Sequence, residues 1–399
     1  MLKRIIAIAF IFGSTSVGWF VLAGSIWWRT NQSNDKLKPN VSSIWGTAQE
    51  QTQPVATYYQ EAAPTEKSVP VRLNAESSRI HVDLALEYRQ KGLLWYSVYV
   101  VKFAGVYTFR NPSDSARLVT FQLPFPSKHA IYDGLTIERN GQALPFTTGK
   151  DGVSVRAQMA PGESAAFRAV YRSQGLESWR YNFGNDVTET RNFELTMKTN
   201  FAEIDFPSDT LSPIEKREDS SGWELTWRYR NLISGFQIGM TMPEKLQPGP
   251  LAGDISRFAP VSLLLFFFVM FILTTIRNVD LHPMNYFFLA AAFFAFHLLL
   301  AYLADHISIE SAFLICSLVS AGLVVSYLRL VAGPRFALIE AGGAQLVYLV
   351  LFSGTFFLKG FTGLAITIGC IITLFIAMQL TGRVRWSERF SLRTSAKST

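Results

Sequence analysis

Cysteine is almost absent from this chain of 399 residues: only Cys316 and Cys370 occur, and both lie inside long apolar runs. Disulfide staples and a thiolate zinc cluster are thereby excluded. Charge is scarce as well, at 17% Asp, Glu, Lys and Arg against about 25% for an ordinary globular domain. The five histidines, His81, His129, His282, His297 and His306, are scattered, with no second ligand at i+2 or i+4. No glycine-rich phosphate loop, no His-Glu-x-x-His helix and no Gly-x-Ser-x-Gly elbow is present, so the common signatures of nucleotide, zinc and serine chemistry are missing. No catalytic, cofactor-binding or metal-ligating residue is therefore assigned, and no cofactor is expected.

What is abundant is apolar surface: 49% hydrophobic and 14% aromatic residues. A chain this apolar offsets its ordering entropy by burial, which excludes disorder for most of the length and points to lipid. The net charge of +7 becomes informative once divided. Residues 29–257 hold 26 Lys and Arg against 25 Asp and Glu, whereas the remainder holds 11 against 5. The surplus sits at the ends of apolar runs and in the tail, which is the pattern of membrane topology and not of a nucleic-acid footprint.

A transmembrane helix needs about 20 mostly apolar residues. Six stretches qualify: 5–28, 258–276, 284–303, 311–328, 336–358 and 360–380. One precedes a long polar region and five follow it. With the N-terminus inside, Lys3, Arg4, Arg277, Arg329, Arg335 and the tail residues Arg383, Arg385, Arg389 and Arg393 all fall on the cytoplasmic side, and the opposite short loops hold only Lys359. Both termini are expected inside. Val21-Leu22-Ala23 has the small-residue spacing of a signal-peptidase site. The apolar run nevertheless continues to Ile26-Trp27-Trp28, where tryptophans suit an interfacial anchor. Ser14 and Gly18, four apart, allow another helix to approach closely.

The polar region divides in two. Residues 31–53, rich in Asn, Gln, Ser and Pro, read as a linker. Beyond Val69, short β runs follow at 79–88, 93–109, 117–125, 153–159, 164–171, 193–199, 222–230 and 235–242. Turn residues such as Asn111-Pro112, Asn140-Gly141, Asp151-Gly152 and Pro161-Gly162 separate nearly all of them. Alternation is plain in Trp223, Leu225 and Trp227 against Glu224, Thr226 and Arg228. Eight or more strands without an amphipathic helix predict an antiparallel, sandwich-like domain.

Ionisable residues at membrane depth are costly unless paired, and His297 and Glu340 are the two such positions. Glu340 lies five residues past Arg335, within reach of the interface. Two polar clusters flank the third span. Leu281-His282-Pro283-Met284-Asn285-Tyr286 enters it with proline at the first turn, and Asp305-His306-Ile307-Ser308-Ile309-Glu310 leaves it through a tight acidic loop. His282, Pro283, Tyr286, Asp305, His306 and Glu310 are the candidate partner-contact residues. The acidic loop, facing Arg257 on the same side, is expected to dock the β domain.

These clusters carry a resemblance. Residues 281–286, then Phe296-His297-Leu298-Leu299-Leu300, Asp305-His306 and Ala312-Phe313, continuing through Tyr327 and Tyr348 to Met378-Gln379-Leu380-Thr381-Gly382-Arg383-Val384-Arg385-Trp386, resemble the CreD-like inner-membrane proteins of bacteria. Trp45-Gly46-x-x-Gln49-x-x-x-Gln53-Pro54 is similar to a family motif after the first helix. The likeness covers roughly 190–390 well and 58–190 hardly at all. His297 stands where the family has tyrosine, Asp305 where it has Glu, Gln53 where it has Gly and Arg385 where it has Asp. The resemblance implies a single-pass anchor, a periplasmic β domain and a helical bundle, tied to cell-envelope integrity and stress response, without catalytic residues to carry over.

The expected organisation is thus a multi-pass α-helical membrane protein with an inserted all-β extracytoplasmic domain. Its parts are an anchor at 1–29, a polar linker at 30–57, a periplasmic β domain at 58–257, a five-helix bundle at 258–380 and a basic cytoplasmic tail at 381–399. The leading reading is a non-enzymatic protein of the bacterial inner membrane that binds the lipid bilayer and an envelope protein or glycan, but not nucleic acid. The alternatives are a membrane enzyme or proton-linked transporter using His297 and Glu340, and a carbohydrate- or peptide-binding module at the membrane surface.

Overall fold

The computed structural model describes residues 2–60, 69–91, 94–184 and 188–382. Two compact units result: residues 35–245, and residues 1–34 together with 246–399.

Among the described residues, six helices are long and apolar enough to cross a membrane. They are α1 (Leu2–Trp45), α2 (Pro248–Ile276), α3 (Pro283–Leu303), α4 (Ile309–Ala332), α5 (Phe336–Phe357) and α6 (Thr362–Thr381). α3 begins on the expected signal, since His282 is its N-cap, accepting from the Met284 N–H, and Pro283 occupies the first turn, where its missing N–H costs nothing. Ser308 caps α4 by accepting from the Ser311 N–H, and Glu310 in that first turn complements the helix dipole. α5 is not a regular helix. It contains two π-helical stretches, Phe336–Ala341 and Leu346–Leu351, separated by the α-turn Gly342–Gln345. The bundle core is aromatic and small: Phe266, Phe293, Phe296 and Tyr286 pack with Ala259, Ala290, Ala312 and Ala337.

The β unit contains three sheets. The largest has eight strands in the order Glu215–Asp219, Gly222–Ser234, Thr188–Thr199, Ser77–Lys91, Leu94–Arg110, Ser164–Leu176, Tyr132–Arg139 and Gln142–Ala143. A five-stranded sheet runs Val69–Leu73, Val55–Gln60, Arg117–Pro124, Gly152–Met159 and Thr147–Thr148, and a three-stranded sheet joins Gln49–Thr52, Ser178–Asn182 and Ile238–Thr241. One hydrophobic core unites them, and the stacked rings of Phe121 and Phe167, 5.0 Å apart, join the five-stranded sheet to the eight-stranded one. Pairing is mostly antiparallel, as the turn pattern predicts. Two pairs are parallel: Gln49–Thr52 with Ser178–Asn182, and Ser77–Lys91 with Thr188–Thr199.

The stretch expected as a linker is ordered. α1 continues to Trp45 because Leu37, Val41 and Trp45, each four residues apart, lay one apolar stripe on Leu94, Tyr96, Val98 and Leu176. Gly46 then turns the chain at φ +89°, and two strands follow before residue 60. In the first of them Gln49 and Gln51 point inward and are buried. Gln49 donates to Ser173 Oγ and the Gln174 carbonyl, both at 2.8 Å, and Gln51 donates to the carbonyls of Thr52 and Pro124. The polarity that suggested a linker is the polarity of a buried hydrogen-bonded network, in which Gln49 Oε1 alone of the two glutamine oxygens has no partner among the described residues while Gln51 Oε1 accepts from Tyr171. The Trp-Gly-x-x-Gln motif is thus the joint that starts the β unit, which begins near residue 35 and ends at 245 instead of spanning 58–257. Of the expected basic tail, residues 383–399 lie outside the described residues.

Candidate functional site

Helix α3 carries the candidate residues, and the structure separates them. Its 21 residues span about 30 Å at 1.5 Å per residue, with His282 before one end and Asp305 past the other, so the two end clusters are not one site. At the first end His282 is exposed and Tyr286 is buried, with its ring edge-on to Phe267 at 5.3 Å. Asn285, one position before Tyr286, receives a hydrogen bond from Tyr327 Oη at 2.8 Å, which ties α3 to α4.

At the other end the acidic loop divides. The Asp305 carboxylate is held by Arg29 of α1, with Nη1 to Oδ2 at 3.1 Å. Arg29 also donates to the Ala301 carbonyl at 2.5 Å and lies 5.2 Å over the Tyr302 ring. This single guanidinium satisfies an unpaired carbonyl of the last turn of α3, a carboxylate and an aromatic face, which is the use to which a planar fork with five donors is suited. Arg257, the expected counter-charge, pairs with Asp254 one helical turn away at 3.5 Å. The expected docking charge of Asp305 is therefore taken up inside the bundle. His306 and Glu310 are exposed.

The two intramembrane candidates also have separate surroundings. His297 Nδ1 bonds the Phe293 carbonyl at 2.9 Å, and its ring meets Trp19 of α1 edge-on at 5.6 Å. Both His297 Nε2 and Trp19 Nε1 are buried with no hydrogen-bond partner among the described residues. Glu340 accepts from Arg277 at 2.8 Å, so it is reached by an arginine at the end of α2 and not by Arg335.

Sequence reasoning missed the polar residues that do converge. Gln345, fully buried, donates to Ser320 Oγ at 2.9 Å, and Ser320 donates to the Ala292 carbonyl at 2.8 Å, linking α5, α4 and α3 in series. Ser262 of α2 donates to the Tyr348 carbonyl in the second π-helical stretch, where the altered helix turn leaves carbonyls to be satisfied from outside. Tyr348 Oη bonds Thr373 of α6 at 3.0 Å. The available signal was Ser, Gln and Tyr within apolar runs, the residues that join helices in lipid. Among the described residues no group of three His, Cys, Asp or Glu is placed to hold a metal ion.

Residues 255–387 match the family model described as Inner membrane protein CreD. The curated Inner membrane protein CreD of Escherichia coli (strain K12) is 27% identical over 159 residues, 35% of this chain and 35% of the relative, so the match spans about a third of its length. Among solved structures, a protein described as nutrient binding from Legionella pneumophila aligns at 9% identity and TM-score 0.35, covering 55% of this chain and 76% of that one. An M1 zinc metallopeptidase from Deinococcus radiodurans aligns at 9% identity and TM-score 0.25, covering 69% and 94%. At such scores neither likeness bears on function. The family match is narrower than the expected 190–390 and leaves out the β unit. Within it lie four of the six membrane-length helices and most of α2, so the helical part that follows the β unit is similar to CreD, and the chain is a multi-pass helical membrane protein with an inserted β domain.

Proposed function

We propose that this protein works in the bacterial inner membrane, with both termini cytoplasmic and the β unit periplasmic. There it supports cell-envelope integrity without catalysing a reaction: the β unit binds an envelope partner while the bundle anchors it. The name of the Escherichia coli relative supplies the membrane. The observation that carries the reading is the role of the polar groups inside the bundle. Gln345, Ser320, Ser262, Tyr348 and Tyr327 each bond a neighbouring helix, and the ionisable Glu340 is neutralised by Arg277. Such groups fix helices to one another, the task of an anchor.

The rival reading, a membrane enzyme or proton-linked transporter, needs the ionisation of His297 and Glu340. Uncharged substitution separates the two. In a strain lacking the protein, His297→Gln and Glu340→Gln are expected to restore resistance to detergent and bile salts as the parent chain does. Loss of rescue by either variant, at normal abundance in the membrane, replaces the anchor reading with the relay.

A further inference from the structure

The solvent face of the eight-stranded sheet is a ladder of charges, and at one place its balance fails. The row Glu224, Lys198, Asp83, Lys102, Arg172, Asp133 crosses six strands with three acids and three bases, balanced in number although Lys102 and Arg172 stand side by side. Opposite charges side by side on neighbouring strands are the ordinary way to stabilise such a surface. Four residues along, the row Arg228, Glu194, Arg79, Val106, Arg168, Glu138 has three arginines to two acids; Arg168 and Glu138 pair with each other, so the surplus falls at the Arg228–Glu194–Arg79 end. Two residues further, on the same face, come Arg230, Asn192, Ser77 and Thr108, with no acid at all.

These two rows line a cleft of about 360 Å³. Glu194 is shared: Arg228 reaches it at 3.0 Å and Arg79 at only 3.9 Å. Arg228 sends its other terminal nitrogen to Glu215 at 3.6 Å, and Arg230 makes no ion pair among the described residues. Beside Val106, Phe193 and Tyr229 the lining adds hydroxyls and an amide: Ser77 Oγ bonds Thr108 Oγ1 at 3.0 Å, and Asn192 Nδ2 bonds the Glu76 carbonyl at 3.1 Å. Ser78 also borders the cleft, and its buried hydroxyl has no partner among the described residues.

We infer that this cleft binds an anionic glycan, with Arg79 and Arg230 on its carboxylate or phosphate groups and Ser77, Thr108 and Asn192 on its hydroxyls. The inference rests on the proposed function and names the partner class of the β unit. Guanidinium is the side chain suited to planar bidentate recognition of such anions. The sheet face also selects against an extended peptide. Peptide recognition by strand addition requires a free edge; three of the four strands under the cleft are paired on both sides, and the one free edge, Gly222–Ser234 beyond Thr226, would seat an added strand beside the cleft and not across its floor. Side-chain hydroxyls, amides and cations are what the face offers, and they match a polyhydroxylated anion.

The test uses the full chain in nanodiscs of neutral lipid and three probes: oligogalacturonate, dextran of equal length, and poly-L-glutamate. Oligogalacturonate is expected to bind with an affinity that falls as salt rises, and dextran to show no binding. The double variant Arg79→Gln/Arg230→Gln, both side chains exposed, is expected to lose about tenfold or more in affinity at unchanged melting temperature. Glu194→Gln removes the acid from the cleft and is expected to tighten binding. No binding of oligogalacturonate, equal binding by the double variant, or tighter binding of poly-L-glutamate overturns the inference. Equal glycan binding by the double variant sinks only the cleft, because the β unit then binds elsewhere. Failure of the parent chain to rescue the envelope defect sinks the proposed function itself.

Discussion

At the scale of single residues, two positions decide more than their chemistry suggests. Gly46 sits at φ +89°, and a Cβ there would collide with the carbonyl oxygen of Gln174. The left-handed backbone alone costs a non-glycine residue about 1–2 kcal/mol, and a backbone oxygen cannot move aside as a flexible side chain would. Gly46→Ala is expected to destabilise the β unit by about 2 kcal/mol or more, read as a lower urea midpoint in tryptophan fluorescence; an unmoved midpoint would show that the joint is free to relax. Asp305 is the other position. Its pair with Arg29 is partly exposed, at 37% and 24% for the two side chains, and screening holds such pairs to about 1 kcal/mol or less. Asp305→Asn is therefore expected to loosen α1 modestly, as faster proteolysis after Arg29 in membranes. His306→Gln and Glu310→Gln are expected to leave proteolysis within error, and if either speeds it as much as Asp305→Asn does, the Arg29 clamp is the wrong explanation.

At the scale of elements, the β core depends on tyrosines that must stay neutral. Tyr99 donates to the Ser178 carbonyl at 2.7 Å, Tyr171 to Gln51 Oε1 at 2.7 Å, and Tyr181 to Tyr107 Oη at 3.4 Å. Burial raises all four phenols above their ordinary value of 10.0, because the phenolate is the form that loses solvation. A raised acid favours the folded state fully below the unfolded value and loses that contribution as pH rises past it. Alkaline unfolding is thus expected to begin above about pH 10, with phenolate absorbance from these residues appearing in the same step as the loss of β circular dichroism. Phenolate absorbance from the four while the dichroism is intact would contradict it. The eight expected strand runs each fall on an observed strand because their alternation reports burial directly. Glu215–Asp219 carries no such signal, being exposed throughout, and Gln49–Thr52 reverses it by burying glutamines. Neither strand was legible without the partner across the sheet. The same limit hid Gln345 and Ser320, whose meaning lies in what a third helix presents to them, and it misassigned the partner of Asp305.

At the scale of the whole molecule, topology is the property on which the proposed function depends. Six membrane-length helices place the β unit after the first and fix the sides of all short loops once one is known. Arg277, Arg329 and Arg335 fall on one side, and Lys359, Asp305 and Glu310 on the other. Lys and Arg in short loops are retained in the cytoplasm whereas acids contribute little, so the proposed function puts the first group at the inner face. Alkaline phosphatase fused after residue 245 or 306 is accordingly expected to be active, and green fluorescent protein fused after residue 280, 332 or 390 to fluoresce. Moving the bias should move the outcome. Because long translocated domains are insensitive to charge, replacing Arg277, Arg329 and Arg335 with Gln is expected to weaken the reporters of the bundle loops while leaving the fusion after residue 245 exported. A cytoplasmic signal after residue 245 in the parent chain would turn the β unit inward, away from any envelope glycan, and would remove the basis of the proposed function.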